Sequence, residues 1–456
     1  MNNIKTKENI YYLSFSIQIL FFIFLLSSML FNRSFVGLQL YGITLGEIIV
    51  GGGLMFSLVF LILPKSLLQN FYFNSLQFYS HKLIIGSFFV LCLINNGSLF
   101  NTYSYKSSSY IWSMGFMFFG VLALLNKEQI KDKYLLPLLF VPFFNYLFSS
   151  GNYPDIFINF FREYSDKFQF LKASDIFMGY IAINFLNKFI IKSQNKRFLY
   201  FLITSSLLLP LLLFSSRGSF LGVIIYMIFE IFYSRRYIRN NKMRIAMYLL
   251  ISILFFSFSV LRIDRAELSR PTVEDLVSIA DPVLISDAII DLANEKDTVN
   301  VFFSFYWHYG RLESTDPTTN WRLDIWQDIL YDVINEDRLF TGYGYNEIFP
   351  AMLDPTAPGR LGRDGMNEHV HNYFVNILAR GGVLQLILFL SFHLSLILYW
   401  KNKNGNYLIL MFVLPSFIVS FLDITMEGVQ YPLTYYFFLY YFLKNSTKVK
   451  VIELYG

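Results

Sequence analysis

Residues 368–386 read Glu-His-Val-His-Asn-Tyr-Phe-Val-Asn-Ile-Leu-Ala-Arg-Gly-Gly-Val-Leu-Gln-Leu. His371-Asn372 opens an apolar run with helical spacing, and Gly381-Gly382 closes it. An apolar stretch long enough to cross a bilayer then begins at once. The pair is therefore expected where water meets lipid, at the mouth of the long polar segment that precedes it. Histidine is the side chain best suited to moving protons near neutral pH.

Apolar stretches of the same kind recur along the whole chain. Of 456 residues, 55% are hydrophobic, 20% aromatic and only 15% charged, whereas a soluble domain carries roughly 25% charge. Runs of about 17–22 apolar residues are long enough for a hydrocarbon core of roughly 30 Å. Twelve fall near residues 10–31, 43–63, 83–101, 109–125, 134–150, 173–191, 198–214, 218–234, 245–262, 382–400, 406–422 and 430–443. The sequence thus predicts an all-α polytopic membrane protein of about twelve transmembrane helices, with one large, partly helical outside loop between spans nine and ten. The first run is too long for a signal-peptide core and lacks a small-residue cleavage site, so it is expected to stay.

Residues 1–262 would hold spans one to nine, 263–381 the loop, and 382–456 the last three spans and a tail. Basic residues mark the inner side. The strongest cluster is Arg235, Arg236, Arg239, Lys242 and Arg244, and the tail adds Lys444, Lys448 and Lys450. Both termini are accordingly expected inside. A single cysteine, Cys92, excludes an intrachain disulfide framework and a cysteine-based metal site.

The loop carries nine basic residues against about twenty acidic ones, which suits an exported segment. Residues 272–294 have helical spacing broken near Pro282. Residues 320–337 form a better amphipathic helix, with Leu323, Trp326, Ile329, Leu330 and Val333 on one face. Thr341-Gly-Tyr-Gly-Tyr is a turn, and 354–365 is irregular. Glu368 precedes His371 by about one helical turn, so the two are expected to face each other. Residues 151–174 mix Phe157, Phe160, Phe161 and Tyr164 with Arg162, Lys167 and Lys172, as an interfacial amphipathic segment does.

Four features carry possible chemistry. His371-Asn372 is the first, although a loop histidine is most often solvated surface. Ser215-Ser216-Arg217-Gly218 is a very short turn between two spans. An arginine there ordinarily snorkels to headgroups, yet its planar fork also grips phosphate oxygens bidentately. Arg322-Leu-Asp-Ile-Trp326 opens the amphipathic loop helix, where the arginine opposes the macrodipole. Leu339-Phe-Thr-Gly-Tyr-Gly reads as a tight turn without nucleotide-binding context.

In order and spacing the four resemble the O-antigen ligase and O-antigen polymerase superfamily of bacterial polysaccharide assembly. The resemblance spans roughly residues 200–400 by motif and the whole chain by topology. Two departures stand out: Gln385 takes the place of a small residue, and Phe340-Thr341 the place of a proline and Phe-Gly. The resemblance implies an enzyme of the bacterial inner membrane, with its large loop in the periplasm. It would join an undecaprenyl-diphosphate-linked saccharide to an acceptor hydroxyl, with inversion at the anomeric centre. Because the donor is already activated, no nucleotide, metal or other cofactor is expected.

The resemblance further implies that Arg217 and Arg322 neutralise the departing diphosphate and that His371 removes the acceptor's proton. Arg265 and Arg380 are secondary candidates for the diphosphate. Asn372, Glu368 and Trp326 are candidates for orienting residues or for sugar contact. Arg270 extends the site or snorkels, and His308, amid Phe305, Tyr306 and Trp307, is placed to touch sugar or to pack. His369 is expected in solvent, and His393 as a packing residue within a span. Expected partners are the lipid-linked oligosaccharide as donor and acceptor, membrane lipid and, as a further candidate, a polysaccharide chain-length regulator, but no nucleic acid. A polymerase extends a lipid-linked repeat unit, whereas a ligase transfers to lipid A-core. The Phe-, Tyr-, Ile- and Asn-rich character favours the polymerase. A non-enzymatic flippase for the same lipids would need polar residues along its spans, and these are sparsely charged.

Overall fold

The computed structural model describes residues 2–68, 72–95, 98–99, 101–123, 135–149, 153–168, 171–268, 304–357, 359–361, 368–423 and 425–446, with the backbone alone for 2–18, 67 and 264–268. These residues are overwhelmingly helical. In chain order the main elements are α1 (Asn2–Val36), β1 (Gln39–Leu40), β2 (Ile43–Thr44), α2 (Leu45–Ile62), α3 (Ser75–Ile94), α4 (Ser109–Met114), α5 (Met117–Ala123), α6 (Val141–Phe148), α7 (Asp155–Tyr164), α8 (Ala173–Ile190) and α9 (Gln194–Ser215). There follow α10 (Arg217–Tyr233), α11 (Lys242–Leu268), β3 (Phe305–His308), β4 (Arg311–Ser314), α12 (Pro317–Asn335), α13 (Tyr373–Asn404), α14 (Leu410–Leu422) and α15 (Gln430–Lys444).

Six helices, α1, α2, α3, α9, α11 and α13, contain stretches long and apolar enough to cross a membrane, and Ser109–Ala123, Leu136–Phe148 and Leu410–Leu422 are shorter apolar helices. At the other three expected positions stand α8, α10 and α15, of 18, 17 and 15 residues. Every residue of α8 except Lys188 is buried, and so is every residue of α15 from Gln430 to Leu443. A helix covered on all sides belongs to the middle of a bundle. There Asp175, Asn184 and Asn187 meet protein rather than lipid, which lets an otherwise apolar helix carry them. The perimeter is the reverse: α11 exposes Leu249, Leu250, Ile253 and Leu254. Around the centre α9 packs along α11, α13 along α3, and α10 along α14.

The segment around α12 has a small core of its own. Ile325, Ile329 and Val333 of α12 meet Phe349, Ala351, Met352, Val370, Val375 and Ala379. Asp316 caps α12 by accepting from the Thr319 amide at 2.8 Å, and Pro317 supplies the first turn. A half-exposed ion-pair network then ties the segment together. Arg360, 4% exposed, pairs with Asp324 and Asp328 of α12, and Arg311 of β4 reaches the same two carboxylates at 2.6 and 2.7 Å. The helix expected over 272–294 lies outside the described residues. The two hairpins are additions to the expected all-α fold.

Gly382 breaks α13 with φ 70° and ψ −178°, a region essentially open to glycine alone. The break receives the 339–344 turn. The Val383 amide donates to the Leu339 carbonyl at 2.9 Å, and a Cβ on Gly382 would lie 2.1 Å from the Phe340 carbonyl oxygen. A Cβ on Gly342, whose φ is 64°, would lie 2.4 Å from the Arg380 carbonyl oxygen. The two glycine pairs of the sequence are thus two halves of one joint. Gln385, the departure noted above, is buried below it: it accepts from the Tyr345 and Tyr110 hydroxyls and donates to Ser87 at 2.9 Å. Gly382→Ala is expected to cost at least about 1–3 kcal/mol from backbone strain alone. The buried thiol of Cys92 provides the measurement: a thiol-reactive dye should report a lower melting temperature for the variant in detergent.

Candidate active site

Three chain ends converge at one corner of the molecule: the start of α10, the start of α12, and the residues before α13. Arg217 is the first residue of α10, after Ser216, whose hydroxyl accepts from the Ser219 amide. Its guanidinium pairs at 2.6 Å with Asp316, the cap of α12. Arg322, one turn into α12, donates to the Leu422 carbonyl at 2.7 Å. Leu422 closes the corner, since a Cβ on Gly218 would meet its side chain at 3.1 Å. Arg217 and Arg322, about a hundred residues apart in sequence, are thus clamped to one another through Asp316 and the end of α14.

His371 stands beside them. Its ring lies 4.9 Å from that of Trp321, the neighbour of Arg322 on α12. Asn372 fixes the position from the other side: its carboxamide oxygen caps α13, accepting from the Phe374 and Val375 amides at 3.1 Å. The Trp326 indole donates to the Val370 carbonyl at 2.8 Å. Trp326 therefore orients the backbone that carries the histidine, which itself adopts a left-handed φ of 57°.

The electrostatics follow from burial and from the arginine. Burial first, and then the charges of Arg322, His369 and Lys172, push the His371 imidazole down from its ordinary 6.5 to about 3. It is neutral, and so able to accept a proton, throughout the physiological range. Burial also lowers Arg322, against the pull of Asp423 and Asp316; an arginine stays charged regardless. At Asp316 burial pushes the carboxyl up, but the bonds from Thr319 and the charge of Arg217 outweigh it and hold the group below its usual range. The Nε of Arg322 is buried and has no hydrogen-bond partner among the described residues, so the cation retains donor capacity.

Other expectations need correcting. Residues 368–372 are not helical, so no helical turn sets Glu368 against His371; Glu368 instead pairs with Lys106. His369 is not in open solvent but bonds Glu427 at 2.8 Å. Arg380 is 3% exposed and holds the neighbouring turn: it donates to the Gly344 and Glu347 carbonyls and to the Tyr103 hydroxyl, and lies 3.9 Å from the centre of the Phe349 ring. None of these contacts joins it to Arg217, Arg322 or His371. The side chain of Arg265 and all of Arg270 lie outside the described residues. His393 is buried within α13, its Nδ1 2.9 Å from the Phe389 carbonyl.

The structure also adds residues that spacing did not reveal. Trp321 packs on the histidine, and Asp316 holds Arg217. Asp423 acts electrostatically on both Arg322 and Lys172, while Lys172 acts on His371 and is itself acted on by Arg33. Asp316 had a legible signal, an acidic residue before Pro317 at a helix start. Lys172 and Arg33 had none, because their neighbours come from distant helices.

No curated protein matches the chain. Residues 200–390 match the family model described as O-antigen ligase. That stretch runs from α9 into α13 and contains Arg217, Arg322, His371 and the joint at Gly382. Over that stretch the chain is similar to the O-antigen ligase family, and six of its helices are long and apolar enough to cross a membrane.

Proposed function

We propose that the protein is a polymerase that joins undecaprenyl-diphosphate-linked oligosaccharide repeat units into O-antigen or capsular polysaccharide. It would act on the outer face of the bacterial inner membrane, with twelve spans and both termini cytoplasmic. The observation that carries the reading is the convergence of two arginines and a neutral histidine within the family-matched stretch.

In this reading the acceptor hydroxyl attacks the anomeric carbon of the donor. The bond from that carbon to the diphosphate oxygen breaks, and undecaprenyl diphosphate leaves. Arg217 and Arg322 meet the charge that builds on the departing oxygen, and His371 takes the hydroxyl proton. The site is tuned by its own substrate. The Arg322 charge depresses His371 in the empty enzyme; a bound diphosphate offsets that charge and raises the basicity of the imidazole for the step that needs it. Since kcat/KM reports the free enzyme and kcat the complex, the two pH profiles should separate. The acid limb of kcat/KM is expected below pH 5, in line with a value of about 3, and the limb of kcat nearer neutrality. Coincident limbs at the ordinary histidine value would contradict this tuning.

The reading is tested by the surface polysaccharide of a strain lacking the gene. Core bearing a single repeat unit, restored to a ladder by the gene, is the polymerase result. Bare core with polymer retained on the carrier lipid would make the protein a ligase instead.

A further inference from the structure

The hairpin β3–β4 is the feature of the outer segment that the proposed chemistry leaves unused. Its sequence is Phe305-Tyr-Trp-His-Tyr-Gly-Arg-Leu-Glu-Ser314, with Tyr309 and Gly310 at positive φ in the turn. All four residues of β3 are exposed, Trp307 at 74%, and Tyr309 at the tip is 94% exposed. So many large rings in water mark an interaction site.

The mount is rigid. The Leu312 amide donates to the Gln327 carboxamide at 2.7 Å, and the Ser314 amide to Asn320 at 2.9 Å. Arg311 is held by Asp324 and Asp328. Asn320, Asp324 and Gln327 flank Arg322 on α12, and Ser314 lies two residues before Asp316, the partner of Arg217. The hairpin is thus continuous with the candidate site. Four strand residues carry its tip about 14 Å beyond Ser314.

Its chemistry selects the occupant. The register pairs Tyr306 with Glu313, Trp307 with Leu312 and His308 with Arg311. Rings therefore stand on both faces of the edge strand, Phe305 and Trp307 on one, Tyr306 and His308 on the other. On the second face the Tyr306 hydroxyl donates to Glu313 at 2.9 Å, and His308 Nδ1 lies 3.1 Å from the other oxygen of the same carboxylate. Aromatic faces beside a carboxylate and an imidazole suit a pyranose, whose C–H face stacks on a ring while its hydroxyls take hydrogen bonds. A bilayer would have to bury Glu313 and the Arg311 ion pairs, at high cost. Anionic headgroups would also meet Glu313, Asp324 and Asp328.

We propose that β3 and the Tyr309 turn form a glycan-binding platform that holds pyranose rings of the polysaccharide outside the reaction centre. The proposal rests on the polysaccharide reading above and extends it to a second contact with the polymer, remote from the sugar that reacts. By retaining the chain between additions, the platform lengthens the product.

The test uses the full-length protein in lipid nanodiscs and, as probe, the polysaccharide of the producing strain freed of lipid by mild acid. Wild type and His371→Ala are expected to bind it alike. A Trp307→Ala/Tyr309→Ala double variant should bind at least about tenfold more weakly, and in cells it should still make polymer, but with a shorter modal length. The emission of Trp307, isolated as the difference between wild type and Trp307→Phe, should respond to polysaccharide and be insensitive to brominated acyl chains. Unchanged affinity in the double variant overturns the platform, as does quenching of Trp307 by the brominated lipid, which would make the hairpin a membrane anchor. If His371→Ala turned over normally while the hairpin variant lost binding, the catalytic reading would fail and the platform would stand.

Discussion

Replacing His371 by alanine is expected to lower the rate of glycosidic bond formation about a hundred- to ten-thousandfold, and to remove the polysaccharide ladder from complemented cells. His371 lies at the corner where Arg217 and Arg322 are clamped, with Trp321 on its ring. Burial and the neighbouring cations keep it neutral. Its left-handed backbone complicates the simple variant, because alanine is strained at a φ of 57°. Asparagine tolerates that conformation better and has no basic nitrogen. His371→Asn should therefore lose as much activity as His371→Ala while melting close to wild type. Cells complemented with either variant that kept a normal ladder would remove the histidine from the chemistry.

Arg322→Lys should be nearly as damaging, by about a hundred- to thousandfold in single-turnover release of undecaprenyl diphosphate. A lysine keeps the charge and can still reach a carbonyl such as that of Leu422, but it is a point charge. It lacks the planar fork that meets two phosphate oxygens at once. The donor capacity left on the buried Nε of Arg322 is what the substitution discards. If Arg322 served only to fasten α12 to the end of α14, lysine would rescue turnover, and only alanine would be inactive. The contrast between the two variants therefore separates a diphosphate ligand from a structural tie.

Much of this arrangement was legible beforehand, for reasons that differ between residues. Apolar length marked the membrane helices because lipid forces backbone groups to pair within a helix. The amphipathic face of α12 was plain because Leu323, Ile329 and Val333 recur at helical spacing. Asn372 could be read as part of a helix start, yet Glu368 was misplaced by assuming that the helix reached back to it, when the cap in fact ends it at Tyr373. Arg380 reads as a secondary candidate for the diphosphate, but its partners are backbone carbonyls of the 344–347 turn, which no spacing on its own helix reveals. The aromatic hairpin had a local signal in Tyr309-Gly310 flanked by β-favouring residues, and it was overshadowed by the helical pattern around it. The placement of Lys172 and Trp321 around His371 depends on tertiary packing alone.

The central claim is that this site transfers a saccharide from a lipid diphosphate with His371 as base. The most direct measurement gives purified protein a synthetic undecaprenyl-diphosphate-linked repeat unit and counts both products. The account predicts one undecaprenyl diphosphate released for each linkage formed, at a rate that falls at least about a hundredfold in His371→Asn. Linkages formed by His371→Asn at the wild-type rate, or no elongation by the wild-type protein, would contradict it.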